Sequence, residues 1–296
     1  MASMPDPWRI SLHGGHSGEF CEHAQGTLRS VVEAAVAARY QTFGLSEHAP
    51  RGQERFLYDT EREKGFTTGR LREDFDAYVT EARALAEEFS DRIEILVGFE
   101  SEVVPATDYA EEMLGLRDSY SLDYMVGSVH HVGETPIDGS IDEFHRVVKE
   151  SGGLEELAIR YYDAVAEMVE RLQPEVVGHL DLVRRHAPLD ADLETTRIQT
   201  AAQRALESVE SVGAILDLNT AGWRKGLGDP YPRPWLVQRA DQIGIGFCFG
   251  DDSHNSSQVG SGIDQARDYL IELGVTSIRS LNRSNGNVTV RTVPLI

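Results

Sequence analysis

Short apolar runs alternate with segments of helical period along most of this chain. Residues 8–12 (WRISL) read as a first strand, and residues 27–40 place Leu28, Val31, Val32, Ala35 and Val36 on one helical face. A second strand over 42–47 (TFGLSE) runs up to His48, where Pro50 and Gly52 break the pattern. A polar connection over 49–69 follows, and loops of that length usually serve function. The next helix, over 70–89, aligns Leu71, Phe75, Tyr78, Val79, Ala82 and Leu85. Residues 93–99 (IEILVGF) form a near-continuous apolar run ending at Glu100, the mark of a parallel strand covered on both faces. Runs at 124–129, 175–183, 214–219 and 245–250 repeat that signal, with helices predicted over 155–172 and 190–212. Residues 276–296 read as two strands joined by an Asn-Gly turn, a C-terminal hairpin.

Alternating strands and helices predict a parallel sheet with right-handed crossovers, and seven such units close most economically into a barrel. With 296 residues and 41% hydrophobic content, one α/β domain over 1–296 accommodates the whole pattern. The 49 acidic residues against 28 basic give a formal net charge of −21, which disfavours nucleic acid and anionic membranes as partners. Two distant cysteines, Cys21 and Cys248, argue against a disulfide framework and for a reducing compartment, and both read as packed small residues. No apolar run approaches 18 residues and MASMPDPWR lacks the apolar core of a signal peptide, so a cytoplasmic protein is expected.

Chemistry enters where the strands end. The segment SLHGGHSGEFCEH, residues 11–23, carries His13, His16 and His23, three imidazoles whose desolvation needs a partner such as a cation. His48, Glu100, His130, His179 and the pair Asp252 and His254 each end or follow a predicted strand, so a closed parallel sheet would gather them at one mouth. Glu102 competes with Glu100, and Asp251 with Asp252, as the carboxylate at each place. His131, His145 and His186 are read as hydrogen-bonded structural residues. Arg184 and Arg224, each just beyond a strand end, suit a bidentate phosphate clamp, with a surface ion pair as the alternative. Phe56, Tyr58 and Trp223 stand at positions where lid packing outweighs stacking on a ligand.

The series SLHGGHSGEFCEH, LSEHAPR, GFESE, GSVHH, VGHLDLVRR, LDLNTAGWRK and GDDSH, in this order over about residues 8–260, resembles the polymerase and histidinol phosphatase (PHP) superfamily. Within it the chain is most similar to the histidinol-phosphate phosphatases, through the Cys21–His23 stretch, EHAPR at 47–51 and the long loop after it. The resemblance implies a distorted (β/α)7 TIM-like barrel of PHP type with two to three divalent metal ions. The opening histidines with Glu100 and Asp252 would hold one, Glu100 with His130 and His179 another, and His23, His48 and His254 a third. Two departures stand out: family members open with His-x-His where two glycines separate His13 from His16, and GSDAH has become GDDSH, with Asp251 added. Imidazole and carboxylate donors suit zinc, iron and manganese alike.

Ions with six positive charges against the two ligating carboxylates Glu100 and Asp252 would leave a cationic pocket in an acidic protein, selecting a small phosphate monoester. They would supply hydroxide by lowering the pKa of water from about 15.7 toward 7. Asp252 or His254 is positioned to protonate the leaving alkoxide. Three functions follow in order: a phosphatase for L-histidinol phosphate in histidine biosynthesis, a phosphoesterase with the same metal site and another substrate, and a metal-binding relative without catalysis. Oligomeric state has no signature in the sequence.

Overall fold

The apolar runs do become strands. The computed structural model describes residues 6–284 and 286–296; Asn285 of the expected Asn-Gly turn and residues 1–5 lie outside them. Its strands are β1 (Ile10–Ser11), β2 (Thr42–His48), β3 (Glu94–Glu100), β4 (Met125–Gly127), the short β5 (His131–Val132) and β6 (Thr135–Pro136), β7 (Val176–Val177), β8 (Ile215–Asn219), β9 (Phe247–Gly250), β10 (Ser277–Ser284) and β11 (Asn287–Pro294). Seven of them form one sheet in the order β1-β2-β3-β4-β7-β8-β9, every neighbouring pair parallel. The two ends meet where the Leu12 N–H donates to the Phe249 carbonyl (2.8 Å) and the Asp252 N–H to that of His13 (3.0 Å), nearly closing the (β/α)7 barrel.

Consecutive strand order puts every strand's C-terminal end on one rim, which is why ligands scattered in sequence converge. In the middle of the sheet, β2 and β3 pair over seven residues, from Thr42 opposite Glu94 to His48 opposite Glu100. Burial on both faces explains the near-continuous apolar run of β3. Tyr124 fills the barrel interior and donates its hydroxyl to the Leu12 carbonyl (2.8 Å); any Cβ at Gly98 would overlap its ring.

Helices cover the outside. Leu28–Ala37 buries Leu28, Val31, Val32 and Ala35 and starts where the Thr27 hydroxyl accepts from the Ser30 N–H. Thr68–Glu88 buries Phe75, Tyr78, Val79, Ala82 and Leu85, the expected stripe, with Leu71 only half-buried at its start. Leu154–Leu172 follows its prediction closely. The helix expected over 190–212 begins at Thr196, because Thr195 caps it and residues 190–195 form the connection.

Two segments depart more. The expected strand 175–183 is reduced to Val176–Val177, since the chain must turn to aim His179 inward: His179 takes φ +21°, and a Cβ at Gly178 would sit 2.5 Å from Ser128 Oγ and 3.0 Å from His13 Cε1. The polar connection 49–69 is structured, with a 3₁₀ turn at Glu54–Phe56 and a helix at Asp59–Glu63. Arg51, nearly fully buried, ties it down by pairing with Glu61 and, at 3.4 Å, with Glu102. The hairpin β10–β11 packs Ile278, Leu281, Val293 and Leu295 into the same apolar core as the barrel strands.

Candidate metal centre

His48 and Glu100 end β2 and β3, while His13, His130, His179, Asp252 and His254 lie within a few residues of the ends of β1, β4, β7 and β9. They meet around one carboxylate. Glu100 Oε1 lies 3.1 Å from His13 Nε2, 3.2 Å from His130 Nε2 and 2.9 Å from His179 Nε2. Its Oε2 lies 3.2 Å from His48 Nδ1 and 3.9 Å from His16 Nε2. His16 Nε2 is also 3.9 Å from Asp252 Oδ1, and its ring stacks 4.4 Å from those of both His48 and His254. His23 comes from the rim, its Nε2 3.1 Å from that of His254.

These side chains fall into sets whose donor atoms lie within 4.8 Å of one another: His13, His16 and Glu100; Glu100, His130 and His179; His16, Asp252 and His254; and Cys21, His23, His48 and His254. The Nε2 atoms of His13 and His16, both nitrogens of His48 and Nδ1 of His179 are buried without a hydrogen-bond partner. Orphaned imidazole nitrogens beside a shared carboxylate are what divalent cations take as ligands, so the donor set fits the ions implied by the sequence. Both opening histidines point toward Glu100 despite the two intervening glycines.

Behind the ligands stand three carboxylates, of which the sequence reading missed Asp217 and Glu47. His13 Nδ1 lies 2.7 Å from Asp217 Oδ2, His16 Nδ1 3.0 Å from Glu47 Oε1, and His130 Nδ1 3.4 Å from Glu102 Oε2. Such partners fix ring orientation and raise ligand basicity. A signal existed: Asp217 and Glu47 are charges inside apolar strands, each needing a buried partner. Glu102 lies between His130, His131 and Arg51, while Glu100 stands among the imidazoles of the centre. Asp251 likewise turns away from the centre, accepting from Tyr40 Oη (3.0 Å) and the Gly260 N–H (2.8 Å).

Burial by itself would lower the pKa of His13, but Glu100 and Asp217 outweigh it and push it well above the ordinary value. Burial would raise that of Glu100, and His13, His130 and His48 instead hold it well below the carboxylate range. His23, His48 and His254 shift the other way, lowered by burial and by His16. Asp252 is held well below its usual range, the Lys225, His13 and His254 charges outweighing burial.

The centre opens into a cavity of about 610 Å³. Arg224 and Lys225 reach it from beyond β8, Arg185 from beyond β7, and the acidic Asp59, Asp138 and Glu143 from the loops after β2 and β6. Arg224 donates to the Asp252 carbonyl (2.9 Å) and to Thr220 Oγ1 (3.3 Å). Arg184 does not line the cavity: it is buried, with Nε 2.7 Å from Asp181 Oδ2 and Nη2 donating to the Pro230 carbonyl (2.6 Å). The buried Asp181 carboxylate demands that partner. Tyr58 lines the cavity, whereas Phe56 is buried against His131 and Trp223 packs on Tyr269. His186 sits 3.2 Å from the Asp138 carbonyl, as a structural residue would.

A profile of the PHP domain family matches residues 13–221. The chain is 37% identical over 286 residues to the "Probable histidinol-phosphatase" of Schizosaccharomyces pombe, covering 95% of this chain and 92% of that one. It is 28% identical over 295 residues to the "Histidinol-phosphatase" of Saccharomyces cerevisiae, covering 88% of each. Among solved structures, the fold is shared with histidinol phosphate phosphatase of Lactococcus lactis, complexed with zinc, L-histidinol and phosphate: TM-score 0.73, 21% identity, 95% of this chain and 99% of that one.

Proposed function

The chain belongs to the PHP domain family, and from that premise we propose that it is a histidinol-phosphatase, hydrolysing L-histidinol phosphate to L-histidinol and phosphate. The observation that carries this reading is a single cavity joining a carboxylate-bridged set of imidazoles to basic and acidic side chains. That arrangement suits a substrate with a dianionic phosphate at one end and a cationic amine and imidazole at the other. The near full-length similarity to relatives of that name supports it.

His13, His16, Glu100 and Asp252 would hold one ion, Glu100, His130 and His179 a second, and His23, His48 and His254 a third, as two to three zinc, iron or manganese ions. Bound there, such ions lower the pKa of water from about 15.7 toward 7 and neutralise charge on phosphoryl oxygens. Arg224 and Lys225 bind and orient the phosphoryl group, and Arg224 is in turn held by the Asp252 carbonyl. Asp252 or His254, 3.6 Å apart between Oδ1 and Nδ1, would deliver a proton to the leaving oxygen. Arg184 lies behind the cavity lining, paired with Asp181. Asp59, Asp138 and Glu143 attract the cationic end of the substrate.

The net charge of −21 supports a small substrate over nucleic acid or an anionic membrane, and no helix among the described residues is long and apolar enough to cross one. Two free, buried cysteines support a cytoplasmic setting. Steady-state phosphate release from L-histidinol phosphate, an aryl phosphate with an uncharged leaving group and a phosphodiester tests the reading. The highest kcat/KM is expected for L-histidinol phosphate; equal turnover of the aryl ester or diester, or none of any, would overturn it.

A further inference from the structure

We infer that Cys21 is a ligand of the ion at His23, His48 and His254, making this a closed four-donor site unlike the other two. The inference rests on the metal-centre reading and not on the identity of the substrate. Cys21 is buried, with Sγ 3.4 Å from Nδ1 and 3.5 Å from Nε2 of His23, and its sulfur falls within 4.8 Å of donor atoms of His23, His48 and His254. Tetrahedral zinc with bonds of about 2.3 Å to sulfur and 2.0–2.1 Å to nitrogen separates neighbouring sulfur and nitrogen ligands by about 3.6 Å and two nitrogens by about 3.3 Å. The 3.5 Å from Cys21 Sγ to His23 Nε2 and the 3.1 Å from that same nitrogen to His254 Nε2 match those separations.

The backbone holds the four together before any ion arrives. The Cys21 N–H donates to the Ser17 carbonyl (2.9 Å) and the Ala24 N–H to that of Cys21 (3.3 Å), forming a tight turn. The Gln25 N–H then donates to the His254 carbonyl (2.8 Å), fastening that turn to the segment after β9. His48 adds two buried nitrogens without a hydrogen-bond partner.

Ion binding would break the Cys21 S–H bond, form a sulfur–metal bond and release the proton to solvent. Four protein donors would fill the shell of a tetrahedral ion, which would then anchor the rim and contribute charge, leaving the sites around Glu100 to carry the chemistry. A thiolate donor also biases this site toward zinc and away from manganese.

The test is cobalt titration of chelator-treated, full-length protein, followed by sulfur-to-cobalt charge-transfer absorption in the near ultraviolet. A band equivalent to one thiolate is expected, lost in Cys21→Ser and retained in Cys248→Ser, whose parent side chain is buried in β9. No band at saturating cobalt, or a band that survives Cys21→Ser, overturns the inference. Should Cys21→Ser fail to fold, zinc-edge X-ray absorption of the wild-type protein decides: a sulfur shell at about 2.3 Å supports ligation, and nitrogen and oxygen alone refute it. Neither readout depends on turnover, so a sulfur ligand in a protein inactive on L-histidinol phosphate would sink the proposed substrate and leave this site standing.

Discussion

Asp217→Asn is the sharpest probe of the carboxylates behind the ligands. Asp217 and His13 are both fully buried and 2.7 Å apart, and Asp217 Oδ2 also accepts from Asn219 Nδ2 (3.0 Å). Asparagine keeps an acceptor facing His13 Nδ1 and removes the charge, so ring orientation survives and ligand basicity falls. Loss of such a partner typically weakens metal affinity or activity 10- to 100-fold, about 1.4 to 2.7 kcal/mol. The fold is expected to change stability by no more than about 1.5 kcal/mol, the net contribution of one hydrogen bond. Asp217→Ala should cost about 1–3 kcal/mol more, because it leaves a buried N–H without an acceptor. Zinc affinity from competition with a chelating dye, kcat/KM for L-histidinol phosphate and thermal unfolding separate these effects. Wild-type zinc affinity and turnover in Asp217→Asn would refute the reasoning, since the carboxylate would then be mere packing.

Glu100→Gln removes the charge facing four imidazoles at 3.2 Å or less, and both metal content and kcat/KM should fall beyond the roughly 100-fold of a supporting residue, as elemental analysis and steady-state kinetics would show. Arg224→Ala should raise KM for L-histidinol phosphate and weaken inhibition by inorganic phosphate by about 1.5–3 kcal/mol, the value of a hydrogen bond to a charged group. Arg184→Ala should instead lower stability by about 3–5 kcal/mol by leaving Asp181 buried and short of its partner, with KM little changed, as denaturant unfolding and kinetics would show. Chelation should lower the melting temperature and added zinc restore it, because an ion bound only by the folded state stabilises that state.

Much of this molecule is readable in the sequence for a physical reason. Strand β3 is covered on both faces, so its apolar run is near-continuous and its end, at Glu100, is sharp. Strands β1 and β7 are only two residues long, and period gives no warning that Gly178 and His179 leave the sheet to reach the metal centre. The ligands themselves stood out because imidazoles and acids at strand ends are costly unless they share a partner. Arg184 and Arg185 are adjacent and chemically identical, and only the buried Asp181 decides which faces inward to the protein and which reaches the cavity. Asp217, Glu47 and Glu102 act through space across 204, 31 and 28 residues of chain, a pairing that no local pattern encodes. Cys21, read as packing, lies among three imidazoles because the turn at residues 17–25 folds back onto His254.

The central claim is that imidazoles and carboxylates from six strand ends close around cations. Anomalous diffraction at the zinc edge from crystals of zinc-loaded protein tests it most directly. Peaks are expected among His13, His16, Glu100 and Asp252, among Glu100, His130 and His179, and among His23, His48 and His254. A map with no anomalous density at these places, the histidines bonded only to their neighbouring carboxylates, would contradict it.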